Sequence, residues 1–258
     1  MQADIRNLLE FYVDKFNTVD FIASDPVSVP HLFSKKQDIE IAGFWTAMLS
    51  WGQRKTILKN AGHLFERMDY APHDFVCNHQ EKDKMRFSEF KHRTFQPEDA
   101  YYFLDFFQWY YRQYDSLETG FARFLPQGAP HVGQALVGFH ELFFSLPHAP
   151  ERSKKHVSTP QRGSTCKRMN MFLRWMVRRD NKGVDFGLWD CIRPAQLLIP
   201  LDIHVERVAR RLGLLQRPQV DWTAVLELSG QLQRFDPEDP VKYDFALFGL
   251  GVLQKNGH

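Results

Sequence analysis

Two residues of this sequence are best suited by type to carry out chemistry: Lys167 and Asp202, which lie 35 positions apart. A lysine amine can act as a nucleophile that forms a Schiff base. A carboxylate can stabilise positive charge that develops during a reaction. For each residue, the surrounding sequence decides between that role and a structural one.

Asp202 lies at the predicted start of a helix. Pro200 favours an extended chain just before it, and an apolar stripe from Leu201 to Leu212 then repeats at helical spacing. Aspartate is a favoured N-cap residue, worth about 1 kcal/mol. Taken alone, Asp202 is therefore explained by a purely structural role.

Lys167 lies in the first turn of another predicted helix, directly after a turn formed by Gly163, Ser164 and Thr165. The N-terminal end of a helix dipole favours anions, so Lys167 and the adjacent Arg168 are unfavourably placed there. Two interpretations follow. Lys167 is either a solvent-exposed lysine or an amine that its positive, partly buried surroundings make usable as a nucleophile.

The elements that must position these residues are helices. The dominant hydrophobic period is 3.6 residues and no alternating strand is evident, so the sequence predicts an all-α fold. The pattern over 38–68 predicts one or two helices, with Gly52 as the candidate break, and 75–93 has no assignable pattern. Further helices are predicted at the N-terminus and over residues 97–114, 131–146, 165–179, 202–213, 222–233 and 241–254.

The composition is that of a globular chain. In 258 residues, 33 Lys and Arg stand against 31 Asp and Glu, and 43% of the residues are hydrophobic. This balance excludes a disordered tail, and no apolar run approaches the roughly 18 residues that a membrane span needs. The N-terminal segment is typical of an amphipathic helix and not of a signal peptide. We expect a cytoplasmic protein that does not engage a membrane.

The cysteines and histidines predict no metal site. Cys77, Cys166 and Cys191 are widely spaced, which argues against a disulfide framework, a structural zinc and a four-thiolate iron–sulfur cluster. The eleven histidines show no HxxxH or HExxH spacing. We expect neither a metal nor a cofactor.

Basic residues are concentrated over 151–182, where ten of them stand against two acidic residues. One interpretation is a solvated basic face. The other, which the local excess favours, is contact with the phosphates of a nucleic acid or another polyanion. The run overlaps residues 147–163, which hold three prolines and are predicted to be a surface loop. A second basic surface is predicted from Arg207, Arg210, Arg211 and Arg217.

The segment around Asp202 resembles the aspartate motif of the helix-hairpin-helix DNA glycosylase superfamily, to which endonuclease III belongs. That motif has the form apolar-Asp-x-His-x-x-Arg-Val, and Asp202, His204, Arg207 and Val208 match it. Lys167 coincides with the superfamily's Schiff-base lysine. The separation of Lys167 from Asp202 is similar to that in the archaeal 8-oxoguanine glycosylase branch.

Two further segments resemble the same superfamily. Gln53 follows an apolar helix at the place where the superfamily has a glutamine facing the flipped base, and Asp244 and Phe248 match a pair that lines the base pocket of the archaeal branch. The hairpin departs from the pattern, because only Gly163 of the usual Gly-apolar-Gly is kept. The whole chain resembles a bacterial family of unknown function related to these glycosylases.

The resemblance implies a single two-lobed helical domain with the active site between the lobes. One lobe would comprise about residues 38–130, and the other the N-terminal helix with about 165–258. The implied reaction is excision of an oxidised purine such as 8-oxoguanine from a nucleotide flipped out of damaged duplex DNA. Lys167 would form the Schiff base that also gives AP-lyase activity, and Asp202 would stabilise charge on the sugar.

The remaining site residues would contact the substrate, and we expect a monomer that needs no cofactor. The flipped base would be contacted by Gln53, Asp244, Phe248, Trp51 and His204. The DNA backbone would be bound by Gly163, Ser164, Thr165, Arg168, Arg207 and Arg211. Core packing is the competing role for Trp51 and for Trp189, another stacking candidate, and a structural role competes for His204.

Two rival functions fit the same sequence. The first is a catalytically inactive nucleic-acid-binding protein on a glycosylase-like scaffold, which the altered hairpin favours. The second is an all-α protein that binds a nucleotide, a tRNA or a protein partner and uses Asp202 only as a helix cap.

Overall fold

The computed structural model describes residues 2–253, and this part of the chain is helical. It holds twelve α-helices and several short 3₁₀ helices but no β-strand, and its one isolated bridge joins His92 and Phe95. The all-α prediction is therefore confirmed. No helix within these residues is long and apolar enough to cross a membrane.

The first six α-helices are α1 (Gln2–Phe16), α2 (Val19–Ser24), α3 (Lys36–Leu49), α4 (Arg54–Glu66), α5 (Pro72–Asn78) and α6 (Pro97–Tyr111). The remaining six are α7 (Leu117–Ala122), α8 (Gly133–Phe143), α9 (Lys167–Val177), α10 (Ile203–Arg211), α11 (Trp222–Phe235) and α12 (Tyr243–Leu253). The pattern over 38–68 is thus two helices. They separate at Gly52, whose φ of +109° lies in the left-handed region that glycine tolerates.

The segment 147–163 is not the plain surface loop that its prolines predict. It contains two 3₁₀ helices, Glu151–Lys155 and Pro160–Arg162, and it buries Ser153 and His156. The unassigned stretch 75–93 likewise holds the end of α5 and a 3₁₀ helix, Glu81–Phe87.

The buried carboxylate of Asp99, in the first turn of α6, explains why the segment 147–163 folds inward. It accepts hydrogen bonds from the Ser153 hydroxyl at 2.5 Å and from the Arg152 guanidinium at 2.7 Å, and His156 Nε2 lies 3.3 Å away. Burial alone would raise the pKa of Asp99, but the nearby His156 ring and the hydrogen bonds from Ser153 and the Gln96 amide lower it to about 2.

The chain forms two compact units. One, here called the terminal unit, comprises residues 2–23, 126–134 and 159–253, and the other, the middle unit, comprises residues 24–125 and 135–158. In the middle unit the phenylalanines pack together: Phe44 lies within 6.1 Å, between ring centroids, of Phe103, Phe107, Phe139 and Phe143. The pairs with Phe107 and Phe139 meet edge to face, a geometry that adds to the stabilisation from burial.

In the terminal unit, α12 packs against α1 and α10. Its glycines allow the close approach. A Cβ on Gly249 would lie 2.2 Å from the ring of Phe16 in α1, and one on Gly251 would lie 2.9 Å from the carbonyl oxygen of His204 in α10. The position of the start of α10 therefore depends on a side-chain-free surface of α12.

Replacing Gly251 with alanine should destabilise the protein, although alanine is the better helix former. The helix-propensity gain of about 1 kcal/mol is outweighed because the new methyl group overlaps the rigid backbone of α10, an overpacking cost of roughly 1–3 kcal/mol. The matched control is Gly230→Ala in α11, where a Cβ meets nothing within 4 Å and stability should rise. Urea unfolding measures both; equal stabilisation by the two variants would contradict the tight contact.

Candidate functional site

The start of α9 places Lys167 at the first helical position. The residue before it, Cys166, is fully buried and adopts a left-handed backbone conformation with φ of +50°. The Ser164 hydroxyl accepts a hydrogen bond from the Cys166 amide at 3.1 Å, and Asn170 Nδ2 donates to the Thr165 carbonyl at 3.1 Å. These contacts hold the turn that carries Lys167, whose side chain is half-buried.

The start of α10 is capped by Asp202, as predicted. Its Oδ1 accepts hydrogen bonds from the amides of His204 at 2.8 Å and Val205 at 3.0 Å. Both capping bonds go to one oxygen, so Oδ2 is not needed for the cap. The side chain is half-buried, which leaves that second oxygen a route to a ligand.

The first turn of α12 carries Asp244, which is buried and paired with Arg174 of α9. The Arg174 guanidinium donates to Asp244 through Nη1 and to Asp185 through Nε at 3.2 Å, and it lies 4.4 Å above the ring of Phe245. The side chains of Arg174 and Asp244 are 4% and 9% exposed, so this ion pair is shielded from water. A shielded pair fixes the relative positions of α9 and α12.

The charges of Lys167 and Asp202 both act on the buried carboxylate of Asp244. Burial raises the pKa of Asp244 to about 6, and the positive charge of Arg174 opposes the rise. The negative charge of Asp202 raises this pKa further, and the ammonium of Lys167 lowers it. Since such effects fall off with distance, the two residues predicted to be catalytic both lie near the carboxylate predicted to bind the base.

His204 and Phe248, both predicted to contact the flipped base, contact each other. Their rings meet edge to face with centroids 5.8 Å apart, and Phe248 is half-buried. His204 Nδ1 is buried and has no hydrogen-bond partner among residues 2–253. Arg207, three residues on, is directed to the Gly251 carbonyl by a hydrogen bond from Nη2.

Gln53 and Trp51 lie in the middle unit. Gln53 precedes α4, is exposed and makes no capping hydrogen bond with its side chain. Trp51 is half-buried, and the Arg93 guanidinium lies 4.6 Å from its ring centroid. Trp189, in the terminal unit, is 2% exposed and packs edge to face on Phe172.

The predicted hairpin is a short turn. Gly163 is left-handed with φ of +70°, and its carbonyl accepts a hydrogen bond from the Trp222 amide at 3.1 Å. Arg168 is half-buried, and this burial lowers the pKa of its guanidinium to about 10, so it still carries its charge at neutral pH. Arg211 is exposed.

The basic run over 151–182 is largely neutralised by carboxylates, many of them far away in sequence. Arg178, for example, is buried and pairs with Asp180 at 2.7 Å, Asp239 at 2.9 Å and Asp185 at 3.1 Å. The local charge excess therefore overstates the positive surface that this segment presents. Six of its ten cations form ion pairs: Arg152, Lys154, Arg174, Arg178, Arg179 and Lys182.

The site residues that the sequence interpretation missed are Arg174 and Asp185. Their signal was present at α9, where Arg174 and Arg178 lie four residues apart, one helical turn, among the apolar residues at the end of the helix. Charged residues spaced along the buried side of a helix need carboxylate partners. In residues 2–253 no group of three or more His, Cys, Asp or Glu is arranged to hold a metal ion.

One protein-family model matches the chain. It is described as "Protein of unknown function (DUF2400)" and matches residues 25–253. No curated protein and no solved structure matches the chain.

The raised pKa of Asp244 predicts an unusual pH dependence of stability. The folded-state pKa of about 6 exceeds the unfolded value of about 3.9, so the folded state binds more protons between these values. The stability that this group contributes is present below pH 4 and falls by roughly 3 kcal/mol as the pH rises to 6. Asp244→Asn should remove that loss. Its free energy of unfolding, measured in urea, should therefore rise relative to that of the wild type over this pH range.

Asp99→Asn serves as the control with the opposite sign. Because the folded-state pKa of Asp99 is about 2, its contribution to stability is present above pH 4 and is lost as the pH falls to 2. A constant difference between wild type and Asp244→Asn from pH 3.5 to 7 would show that burial does not perturb Asp244.

Proposed function

The chain belongs to the DUF2400 family, and we propose that it is a DNA glycosylase with AP-lyase activity that removes an oxidised purine such as 8-oxoguanine. The observation that carries the proposal is that the charges of Lys167 and Asp202 both act on buried Asp244 within the terminal unit. These residues supply an amine, a half-buried carboxylate on a helix N-terminus and a buried carboxylate.

The chemistry assigns one role to each group. The unprotonated amine of Lys167 attacks C1′ of the sugar, the N-glycosidic bond breaks, and the base leaves with the bonding electrons and takes up a proton from water. Asp202 Oδ2 stabilises the positive charge that develops on the sugar and accepts the proton that the amine loses. Opening of the sugar ring then gives the Schiff base from which the 3′ phosphate is eliminated.

The substrate contacts follow the resemblance. Asp244, held by Arg174, hydrogen-bonds the edge of the flipped base together with Gln53, and Phe248 or Trp51 stacks on its face. His204 orients the start of α10. Gly163, Ser164, Thr165, Arg168, Arg207 and Arg211 contact the DNA backbone. A monomeric state and a cytoplasmic location belong to the same proposal.

One observation favours the rival, a nucleic-acid-binding protein without chemistry. In the turn before α9, the Cys166 amide already donates to the Ser164 hydroxyl, so this N–H group is taken up within the turn. An amide used in this way is not available to a phosphate. The experiments below separate the two functions.

Borohydride trapping tests the nucleophile. Wild-type protein incubated with duplexes carrying 8-oxoguanine, uracil or an abasic site should give a covalent protein–DNA band, because borohydride reduces the Schiff base to a stable amine. Lys167→Ala should abolish the band. Lys167→Arg should abolish it too, since it keeps the charge but lacks a primary amine of ordinary basicity.

Lys182→Ala is the control for this experiment, because it removes an exposed lysine that pairs with Asp14 and should leave the band intact. If DNA binding persists but no duplex gives a band, the Schiff-base mechanism is wrong and the binding protein becomes the better account.

Asp202→Asn tests the negative charge of Asp202 separately from its role as the N-cap of α10. Asparagine caps a helix about as well as aspartate, so stability should change by about 1 kcal/mol or less. Loss of the negative charge should lower the excision rate by about 10²-fold or more while DNA affinity stays nearly unchanged. Asp221→Asn at the N-cap of α11 is the matched control and should leave the rate unaffected. Equal rates for the two variants would reduce Asp202 to a structural cap.

A further inference from the structure

The middle unit carries a group of exposed cations that the sequence interpretation did not single out. We call it the α4 basic surface, and its members are Lys55 and Lys59 on α4 and Lys91 and Arg93 in the segment after it. None of the four forms an ion pair with another residue in 2–253. This distinguishes them from the run over 151–182, most of whose cations are neutralised.

Side-chain contacts hold the two parts of this surface together. Asn60, next to Lys59 on α4, donates from Nδ2 to the Lys91 carbonyl at 3.4 Å and lies 2.9 Å from His92 Nδ1. His92 is buried, and its Nε2 lies 3.2 Å from the Trp51 carbonyl. Lys91 and Arg93 flank this anchored histidine, so they are placed beside α4 by the fold.

Arg93 is the most constrained of the four cations. Its guanidinium stacks 4.6 Å from the ring centroid of Trp51, and its backbone is left-handed with φ of +56°. Gly52 makes room for it, because a Cβ there would lie 2.8 Å from Arg93 Nη1. A guanidinium held in this way loses little conformational freedom when it binds an anion.

Few negative charges oppose this surface. The only acidic residue on α4 is Glu66 in its last turn, and the segment from Phe90 to Phe95 contains none. Glu89 precedes that segment and is exposed. Four uncompensated cations on two neighbouring elements suit an extended polyanion better than a single small anion.

We propose that the α4 basic surface binds the phosphate backbone of duplex DNA. The choice of DNA as the polyanion rests on the proposed function. Lys55 and Lys59 are one turn apart, a rise of about 6 Å along the helix. Each DNA strand carries a phosphate about every 3.4 Å of its axis, so neighbouring phosphates can meet both ammonium groups while Arg93 binds a further one.

The salt dependence of binding tests this assignment. Fluorescence anisotropy with an undamaged DNA duplex is measured at several salt concentrations for wild type and for the double variant Lys55→Ala/Lys59→Ala. Each lost phosphate contact lowers the slope of log affinity against log salt by about 0.9, so the double variant should lose about 1.8. Both substitutions are at exposed helical positions where alanine favours the helix, so the variant should fold.

The matched control is Lys154→Ala/Lys182→Ala, which removes the same total charge from lysines that are already ion-paired. It should keep the wild-type slope. Equal losses in the two double variants would overturn the proposal, because binding would then follow net charge alone. Absence of duplex DNA binding by the wild type would also overturn it, as would tighter binding to an RNA duplex of the same sequence.

Failure of the glycosylase proposal has a different signature. Suppose that borohydride traps no wild-type protein while Lys55→Ala/Lys59→Ala still lowers the slope of log affinity against log salt. The α4 basic surface then binds DNA, and the Schiff-base mechanism is wrong. If trapping succeeds and both double variants bind DNA as the wild type does, the Schiff-base mechanism is supported and the α4 basic surface does not bind the DNA.

Discussion

Two buried arginines at the C-terminal end of α9, one in its last turn and one directly after it, impose a strict physical constraint on the terminal unit. Arg174 and Arg178 are each less than 5% exposed, and moving a guanidinium out of water costs several kcal/mol unless carboxylates surround it. Here Asp185 bridges both arginines, while Asp244 and Asp239 bind one each. Removing one of these carboxylates takes an ion-pair partner from a buried guanidinium. The segments that bear them must therefore stay in register with α9, which keeps the first turn of α12 beside the helix that begins with Lys167.

Local sequence signals were sufficient for most of the helices. The 3.6-residue period identified α3, α4 and α6, the glycine at position 52 marked the break between the first two, and a proline followed by two acidic residues marked the start of α6. Asp202 was placed correctly because an N-cap depends on residues within one turn of it. Each of these features is determined by atoms close together along the chain, so a single sequence contains the information.

The electrostatic features could not be predicted in this way. Arg174 binds Asp244, which is 70 residues away in sequence, and Ser153 binds Asp99, which is 54 residues away. Neighbouring residues alone therefore predicted that the basic run and the proline-rich segment are exposed. The four cations of the α4 basic surface could not be recognised as a group from the sequence, because they are spread over 39 positions. Charge counted along the chain overstates the run over 151–182, because many of its cations are ion-paired, and it overlooks the α4 basic surface. The conformation of Cys166 was equally hidden, since a left-handed cysteine has no sequence signature.

The packing of α12 on α1 has a consequence for how the chain is made. Phe16 at the end of α1 and Tyr243 at the start of α12 are 227 residues apart, a distance that a ribosome covers in roughly 11–45 s. During that time Leu9 and Val13, which are buried in the finished protein, have no α12 to cover them. The middle unit, by contrast, is entirely synthesised before α9 emerges. Synthesis from the N-terminus thus favours early folding of the middle unit. It leaves α1 as an uncovered amphipathic segment, accessible to chaperones, until α12 has emerged.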